Sequence, residues 1–251
     1  NTIKERELPN SKVYKDVIAA TLLSDKLQEH FESQLPDKMD QSNIQVMLVE
    51  SQRVADNVTA AIRSGGNFTA LANDFSCNSK IQGNLGWVPR ELMPNDSIGD
   101  AAFSLEPGEV SEPIYDSSAT KDIGYWLIEV TDKNEENGIK ARALLLGSEE
   151  ETDKVKAQLA SSGNFTSLAE EYSQHQASKG EGGELGWLQR GDMGSDAFDE
   201  VAFNLDLNVI SEPVQDKTVQ TKGVYWIVEV LEKGAHELSE EVKAGLAYND
   251  F

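Results

Sequence analysis

Gly83-Asn84-Leu85-Gly86-Trp87 returns 100 residues later as Gly183-Glu184-Leu185-Gly186-Trp187. At the same offset Arg90 matches Arg190, Met93 matches Met193 and Ala102-Phe103 matches Ala202-Phe203. Ser111-Glu112-Pro113 likewise matches Ser211-Glu212-Pro213, and Tyr125-Trp126 matches Tyr225-Trp226. All 4 tryptophans fall on duplicated positions. Upstream the offset is 97, because Gly66-Asn67-Phe68-Thr69-Ala70-Leu71-Ala72 recurs as Gly163-Asn164-Phe165-Thr166-Ser167-Leu168-Ala169. The second copy thus carries 3 additional residues between Ser173 and Gly183. A period of this size is that of a small domain and well beyond a solenoid repeat, so the chain reads as two homologous domains in tandem.

Each copy is long enough to bury a core of its own. The formal net charge of -22 over 251 residues argues against nucleic acid and against an anionic membrane surface as partners. Solubility is the ordinary reading of that charge, and attraction for basic client segments is the sharper one. Cys77 is the single cysteine, which excludes an internal disulfide and a Cys-based zinc site. It acts as a nucleophile only beside a base, and no histidine lies between His30 and His175. No metal and no cofactor are expected. No run reaches the length of a membrane span. Asn1 opens the chain without a signal-like stretch and Phe251 ends it on an open helical pattern, which reads as a fragment or processed form.

Residues 1–10 read as a polar tail. From Ser11, Val13, Val17, Ile18, Leu22, Leu23, Leu27, Phe31 and Leu35 recur at helical spacing until Pro36. A weaker helical pattern, Leu238, Val242 and Leu246, lies at the far end. The two ends are expected to meet or to dock on a further portion of the protein, with self-association through these helices as a second use. The first repeat then reads as a strand over Ile44–Val49, a helix over Gln52–Arg63, and a second helix capped by Thr69. A polar loop over Ser76–Trp87, a short helix over Ile98–Leu105, and strands over Val110–Tyr115 and Gly124–Val130 complete it. The second repeat follows the same order from Arg142 to Val230, with Val155 and Leu159 in the places of Val58 and Ile62. Asn134 to Gly138 reads as a polar linker that lets the domains shift. The expected fold is α+β, two small antiparallel sheets covered by helices, divided as 1–40, 41–135, 139–233 and 234–251.

The ordered blocks resemble the parvulin-type peptidyl-prolyl isomerases. They comprise a strand, Gly-x-Phe-x-x-Leu-Ala, a Ser-rich loop into Gly-Gly-x-Leu-Gly-Trp, then Arg, Met, Ala-Phe-x-Leu, Ser-x-Pro-Val and a closing Gly-Tyr strand. The similarity covers about four fifths of the chain. Two such domains between helical ends resemble extracytoplasmic foldases of the SurA and PrsA kind. The resemblance implies an extracytoplasmic folding factor whose partners are unfolded or extended, proline-containing polypeptides. It implies a proline pocket of Leu185, Met193 and Phe198 with Trp226 in the second repeat. In the first repeat the equivalent groove is Cys77, Leu85, Met93, Ile98 and Trp126. Each of these leucines is equally an ordinary core residue by sequence. Met193→Ala with Phe198→Ala is expected to abolish any activity.

The polar centre departs from the family pattern. Parvulins place histidines on the first and last strands, where this chain has Val46 and Ala143, then Trp126 and Trp226. The loop between them offers Cys77 or Asn78 in the first repeat and His175 in the second. His175 is the candidate catalytic residue, or an ordinary loop residue. The two tryptophans either floor a groove or fill the space of the absent histidines. Two functions follow. One is weak prolyl isomerisation, mainly in the second repeat, and the other is a non-catalytic chaperone that holds extended segments.

Asn57, Asn67, Asn95 and Asn164 open glycosylation sequons that read as chance matches. Glu149-Glu150-Glu151 reads as favourable charge at a helix start.

Overall fold

A computed structural model of the chain describes residues 11–78, 83–136, 138–161 and 163–249. The expected tail over 1–10, part of the loop after Ser76 and the terminal Phe251 lie outside the described residues. The elements run α1 (Ser11–Glu32), β1 (Lys38–Val49), α2 (Gln52–Arg63), α3 (Phe68–Phe75), β2 (Gly83–Pro89), α4 (Asp96–Ser104), β3 (Ile114–Lys121) and β4 (Gly124–Asn134). They continue as β5 (Gly138–Leu146), α5 (Glu149–Ala160), α6 (Phe165–Tyr172), α7 (Gln176–Lys179), β6 (Glu184–Leu188), α8 (Asp196–Ala202), β7 (Val214–Asp216), β8 (Thr221–Glu237) and α9 (Glu240–Asn249). The fold is α+β with two antiparallel four-stranded sheets, ordered β2-β1-β8-β3 and β6-β5-β4-β7.

That order contains an exchange. β8, from the second repeat, lies between two strands of the first, and β4, from the first repeat, lies between two strands of the second. Ile114 pairs with Trp226 and Tyr115 with Tyr225, while Trp126 pairs with Leu145 on one side and Val214 on the other. The linker expected to let the domains shift is instead the turn of the β4–β5 hairpin, closed by Asn134 opposite Gly138. Asn137 within it lies outside the described residues.

Two compact units divide the chain along boundaries that do not follow the repeats. One comprises Asn1–Ile44, Leu85–Glu109 and Val230–Phe251. Within it α1 packs against α9, so the two ends do meet. Leu246 is buried, yet Val17, Leu22 and Leu23 on α1 remain exposed, while Leu27 and Phe31 of the expected stripe are half-buried. α1 stops at Glu32, short of Pro36, because its last turn tightens into a Gln34–Phe31 bond of 3.0 Å.

The other unit comprises Gln45–Asn84 and Val110–Glu229. α2 buries Ala55, Val58 and Ile62, one helical face, against Met47, Val49, Phe68 and Ile227. Burial of Val58 or Ile62 contributes about 1.5–3 kcal/mol. In the second repeat Val155 and Leu159 pack against Leu127, Leu144, Leu146 and Phe165. Local chemistry repeats as well. Ser51 and Ser148 cap α2 and α5, accepting from Val54 N at 3.3 Å and Glu151 N at 3.2 Å. The expected cap Thr69 is not the cap of α3. Asn67 takes that place, accepting from Ala70 N at 2.9 Å, and Asn164 does the same for α6. Those two sequon asparagines are therefore engaged as helix caps. Glu149, Glu150 and Glu151 occupy the first turn of α5, where the helix dipole favours them.

The segment expected as a loop up to Trp87 contains β2, and β6 is its counterpart. The repeated Gly-x-Leu-Gly carries the reason. Gly183 and Gly186 have φ of +86° and +74°, and a Cβ on Gly183 would lie 2.8 Å from the Ala143 carbonyl oxygen. Only glycine turns the chain there so closely against β5.

Candidate functional site in the second repeat

The site is built on β4, whose side chains alternate between two layers. Leu127 enters the cluster under α5, while Trp126, Ile128 and Val130 enter the cluster that contains Phe198, Ala143 and Leu188. Leu185 from β6 and Met193 before α8 pack against this second cluster. Ser195 caps α8 by accepting from Phe198 N at 3.1 Å, which fixes the start of the helix that carries Phe198. Gly191 N donates to Asp199 Oδ2 at 2.6 Å and holds the turn that carries Met193.

Trp126 forms the centre. Its ring meets Phe198 edge-on at 5.3 Å and 82°, and meets His175 at 5.3 Å and 64°. Such edge-to-face contacts contribute about 0.5–1.5 kcal/mol beyond burial. Phe198 is 0% exposed and Trp126 2%, so both belong to the packed interior; Leu185, Met193 and His175 are half-buried at its edge. His175 Nδ1 lies 2.8 Å from Ser178 Oγ. Burial pulls the imidazole below its ordinary value, so the ring is neutral near pH 7. This face thus offers half-buried apolar side chains and one neutral imidazole beside a buried aromatic pair. That set suits an amide that must twist, a reaction in which no covalent bond breaks.

The expected residues are placed as follows. Leu185, Met193 and Phe198 come together in one cluster. Trp226 is not with them, and Trp126, expected in the first-repeat groove, is. The strand exchange is the cause, since β4 supplies the fourth strand of the second sheet. Trp126 and Trp226 are each 2% exposed, so they fill space rather than floor an open groove. In the first repeat, Met93 and Ile98 are buried and Leu85 is 37% exposed within the first unit, whereas Cys77 belongs to the second. Cys77 Sγ sits 3.1 Å from the Leu48 carbonyl oxygen, and burial pushes its thiol up to about 11. A thiol held protonated in this way is no nucleophile.

Other repeated residues turn out to be structural. The Arg190 guanidinium lies 4.5 Å from the Phe203 ring centroid, and Arg90 and Phe103 repeat the pairing at 5.9 Å. Sequence reading missed four partners of the exchanged strands. Trp126 Nε1 donates to Asp216 at 3.0 Å and Trp226 Nε1 to Asp116 at 3.2 Å. Ser211 Oγ accepts from Ile128 N and Ser111 Oγ from Val228 N, both at 3.0 Å. The signal was present, because Asp116 and Asp216 share the offset of 100 with the serines. No group of three or more His, Cys, Asp or Glu suited to a metal ion occurs among the described residues.

Comparison with known proteins identifies the family. The sequence model of the PPIC-type PPIase (rotamase) domain matches residues 38–132 and again 141–232, more than half of the chain. Chaperone SurA of Chromohalobacter salexigens is 28% identical over 205 residues, covering 74% of this chain and 43% of that protein. Foldase protein PrsA of Bacillus subtilis is 33% identical over 129 residues, covering 51% and 40%. The crystal structure of peptidylprolyl isomerase PrsA from Bacillus anthracis matches at 26% identity with a TM-score of 0.30, covering 50% of this chain and 49% of that one. The chain spans about half the length of the SurA proteins it matches. With the domain matched twice and the repeat blocks in order, the chain belongs to the parvulin, or PPIC-type, peptidyl-prolyl isomerase family.

Proposed function

We propose that the chain is an extracytoplasmic folding factor that binds extended, proline-containing segments of unfolded polypeptides and slowly accelerates rotation about their Xaa-Pro bonds, mainly in the second repeat. The observation that supports this most is that half-buried Leu185 and Met193 pack against the cluster of Trp126 and Phe198 while half-buried His175 meets the same Trp126 ring. The uncatalysed barrier is about 18–20 kcal/mol, and the trans preference of an Xaa-Pro bond is small. A surface that fits the twisted amide better than either planar form lowers that barrier without proton transfer. Met193 and Leu185 would hold the proline ring, and the flexible thioether suits varied clients. The neutral imidazole of His175 would hydrogen-bond the twisted amide.

The relatives bear the names chaperone and foldase, which supports a folding role, and their kind suggests the extracytoplasmic location. Among the described residues no helix is long and apolar enough to cross a membrane.

A second reading, a chaperone that holds segments without speeding rotation, is favoured by Trp126 filling the place where the family has a histidine. A protease-free measurement of cis–trans exchange in a short Xaa-Pro peptide separates the two. Acceleration by the intact chain that falls with Met193→Ala supports catalysis. Peptide binding with an unchanged exchange rate leaves the holding role alone.

A further inference from the structure

We propose that the cavity beside β2 in the first unit is a second docking site, for an extended polypeptide segment that carries an apolar side chain next to lysine or arginine. It lies outside the second-repeat groove and does not depend on rotation at proline. The cavity is about 490 Å³ and is lined by Leu85, Trp87, Leu92, Pro94, His236 and Val242. That size is ordinary for a ligand pocket.

Three observations fix the chemistry of the occupant. The Trp87 indole stacks face to face on the His236 imidazole at 4.3 Å and 12°, so each ring covers one face of the other and the pair offers the cavity an outer ring face and the ring edges. Ring faces of this kind take aliphatic side chains and the faces of cationic groups. Next, Gln41 is 1% exposed, lines the same cavity and donates from Nε2 to the His236 carbonyl at 2.9 Å, while its Oε1 meets no donor. A buried acceptor left over after the fold is complete calls for a donor, and an incoming backbone N–H is one. Finally, the remaining charged side chains that line the cavity are Glu241 and Glu237, both exposed, the latter in a loose 3.9 Å pair with the exposed Lys38 that a bound cation can join. A chain of net charge -22 adds long-range attraction for a cationic segment to that local preference.

β2 lies at the outer position of its sheet. Leu85 and Trp87, on either side of Gly86 with its φ of +73°, both line the cavity, so a segment laid along the outer edge of β2 passes over it. An extended strand fits such an edge better than a helix.

The test is fluorescence anisotropy on the intact chain with a labelled, proline-free nonapeptide that has a central leucine flanked by lysines, against the same peptide with glutamates for the lysines. The lysine peptide should bind at least about tenfold more tightly, since each opposed charge pair is worth up to about a factor of five. Glu237→Lys with Glu241→Lys, both at exposed positions, should reverse the preference. Trp87→Ala should weaken the lysine peptide about tenfold or more, and Met193→Ala should leave it unchanged. Equal affinity for both peptides, or no binding of either, overturns the proposal. Lysine-peptide binding that survives both the charge reversal and Trp87→Ala overturns it as well, by assigning the attraction to the acidic surface at large. A dimer in sedimentation that Trp87→Ala dissolves would overturn it in favour of a second copy of the chain. The probe has no proline and the readout is binding, so these outcomes are separate from success or failure of isomerisation.

Discussion

Trp126 of the first repeat donates its indole hydrogen to Asp216 of the second at 3.0 Å, and Trp226 returns the bond to Asp116 at 3.2 Å. Each repeat thus closes its sheet with the other's last strand and satisfies the other's buried tryptophan. Ser111 and Ser211 act in the same crosswise sense, each bonded through N and Oγ to a strand of the opposite repeat. The site in the second repeat is consequently a joint product of both copies.

Trp126→Phe keeps the ring but leaves the buried Asp216 carboxylate without one donor. The expected cost is about 1–3 kcal/mol. For a chain of this size each kcal/mol lowers the melting temperature by roughly 2–4 °C, which differential scanning calorimetry reads. An unchanged melting temperature would mean that the indole bond carries no weight.

Acid should expose the same bond. Burial alone would raise Asp216, but hydrogen bonds from Ser195, Thr218 and Trp126 hold it below the ordinary aspartate value of 3.8. A depressed carboxylate adds stability above the unfolded value that is lost as pH falls through the folded one. The loss therefore begins near pH 4 and grows below it, and Asp216→Asn should flatten that part of a stability profile measured by denaturant titration.

His175 has its own window. Burial lowers it from 6.5, so the folded chain resists protonation there and stability declines as pH falls below 6.5 towards the folded value. His175→Gln should remove that component. Any isomerisation by the wild-type chain should be level above pH 7, where the imidazole is neutral, and a rate that rises on acidification would contradict the role given to the neutral ring.

Phe198 and Met193 must be distinguished in mutagenesis. Phe198 is fully buried, so Phe198→Ala is expected to cost about 3–5 kcal/mol and to report on folding rather than on the groove. Met193 is half-buried at the surface of the cluster. Met193→Ala should leave the melting temperature within a few degrees while lowering peptide affinity or rate about tenfold.

Much of the fold was legible because each signal was local. The helix expected over Gln52–Arg63 has those bounds in the structure, because its apolar spacing is a local signal. β2 was read as loop because its alternation is short and interrupted by Gly86. The clustering of Leu185, Met193 and Phe198 was legible from the resemblance. The partner of Phe198 was not, since Trp126 and Trp226 sit in near-identical strands and nothing local states which sheet each one joins. That choice is made by pairing over about 100 residues, and the short turn from Asn134 to Gly138 decides it by folding β4 directly onto β5.

The exchange itself has a direct measurement. In a Cys77→Ser background, Tyr115→Cys with Tyr225→Cys places two thiols on opposed residues of β3 and β8, whose native rings are 5.0 Å apart. Antiparallel partners lie within disulfide range. Mild oxidation of the dilute chain should give a single intramolecular disulfide by mass spectrometry of the monomer, while Tyr115→Cys with Tyr125→Cys should stay reduced. A disulfide that forms only in the second pair would show that each repeat keeps its own last strand, and the groove built around Trp126 would not exist as described.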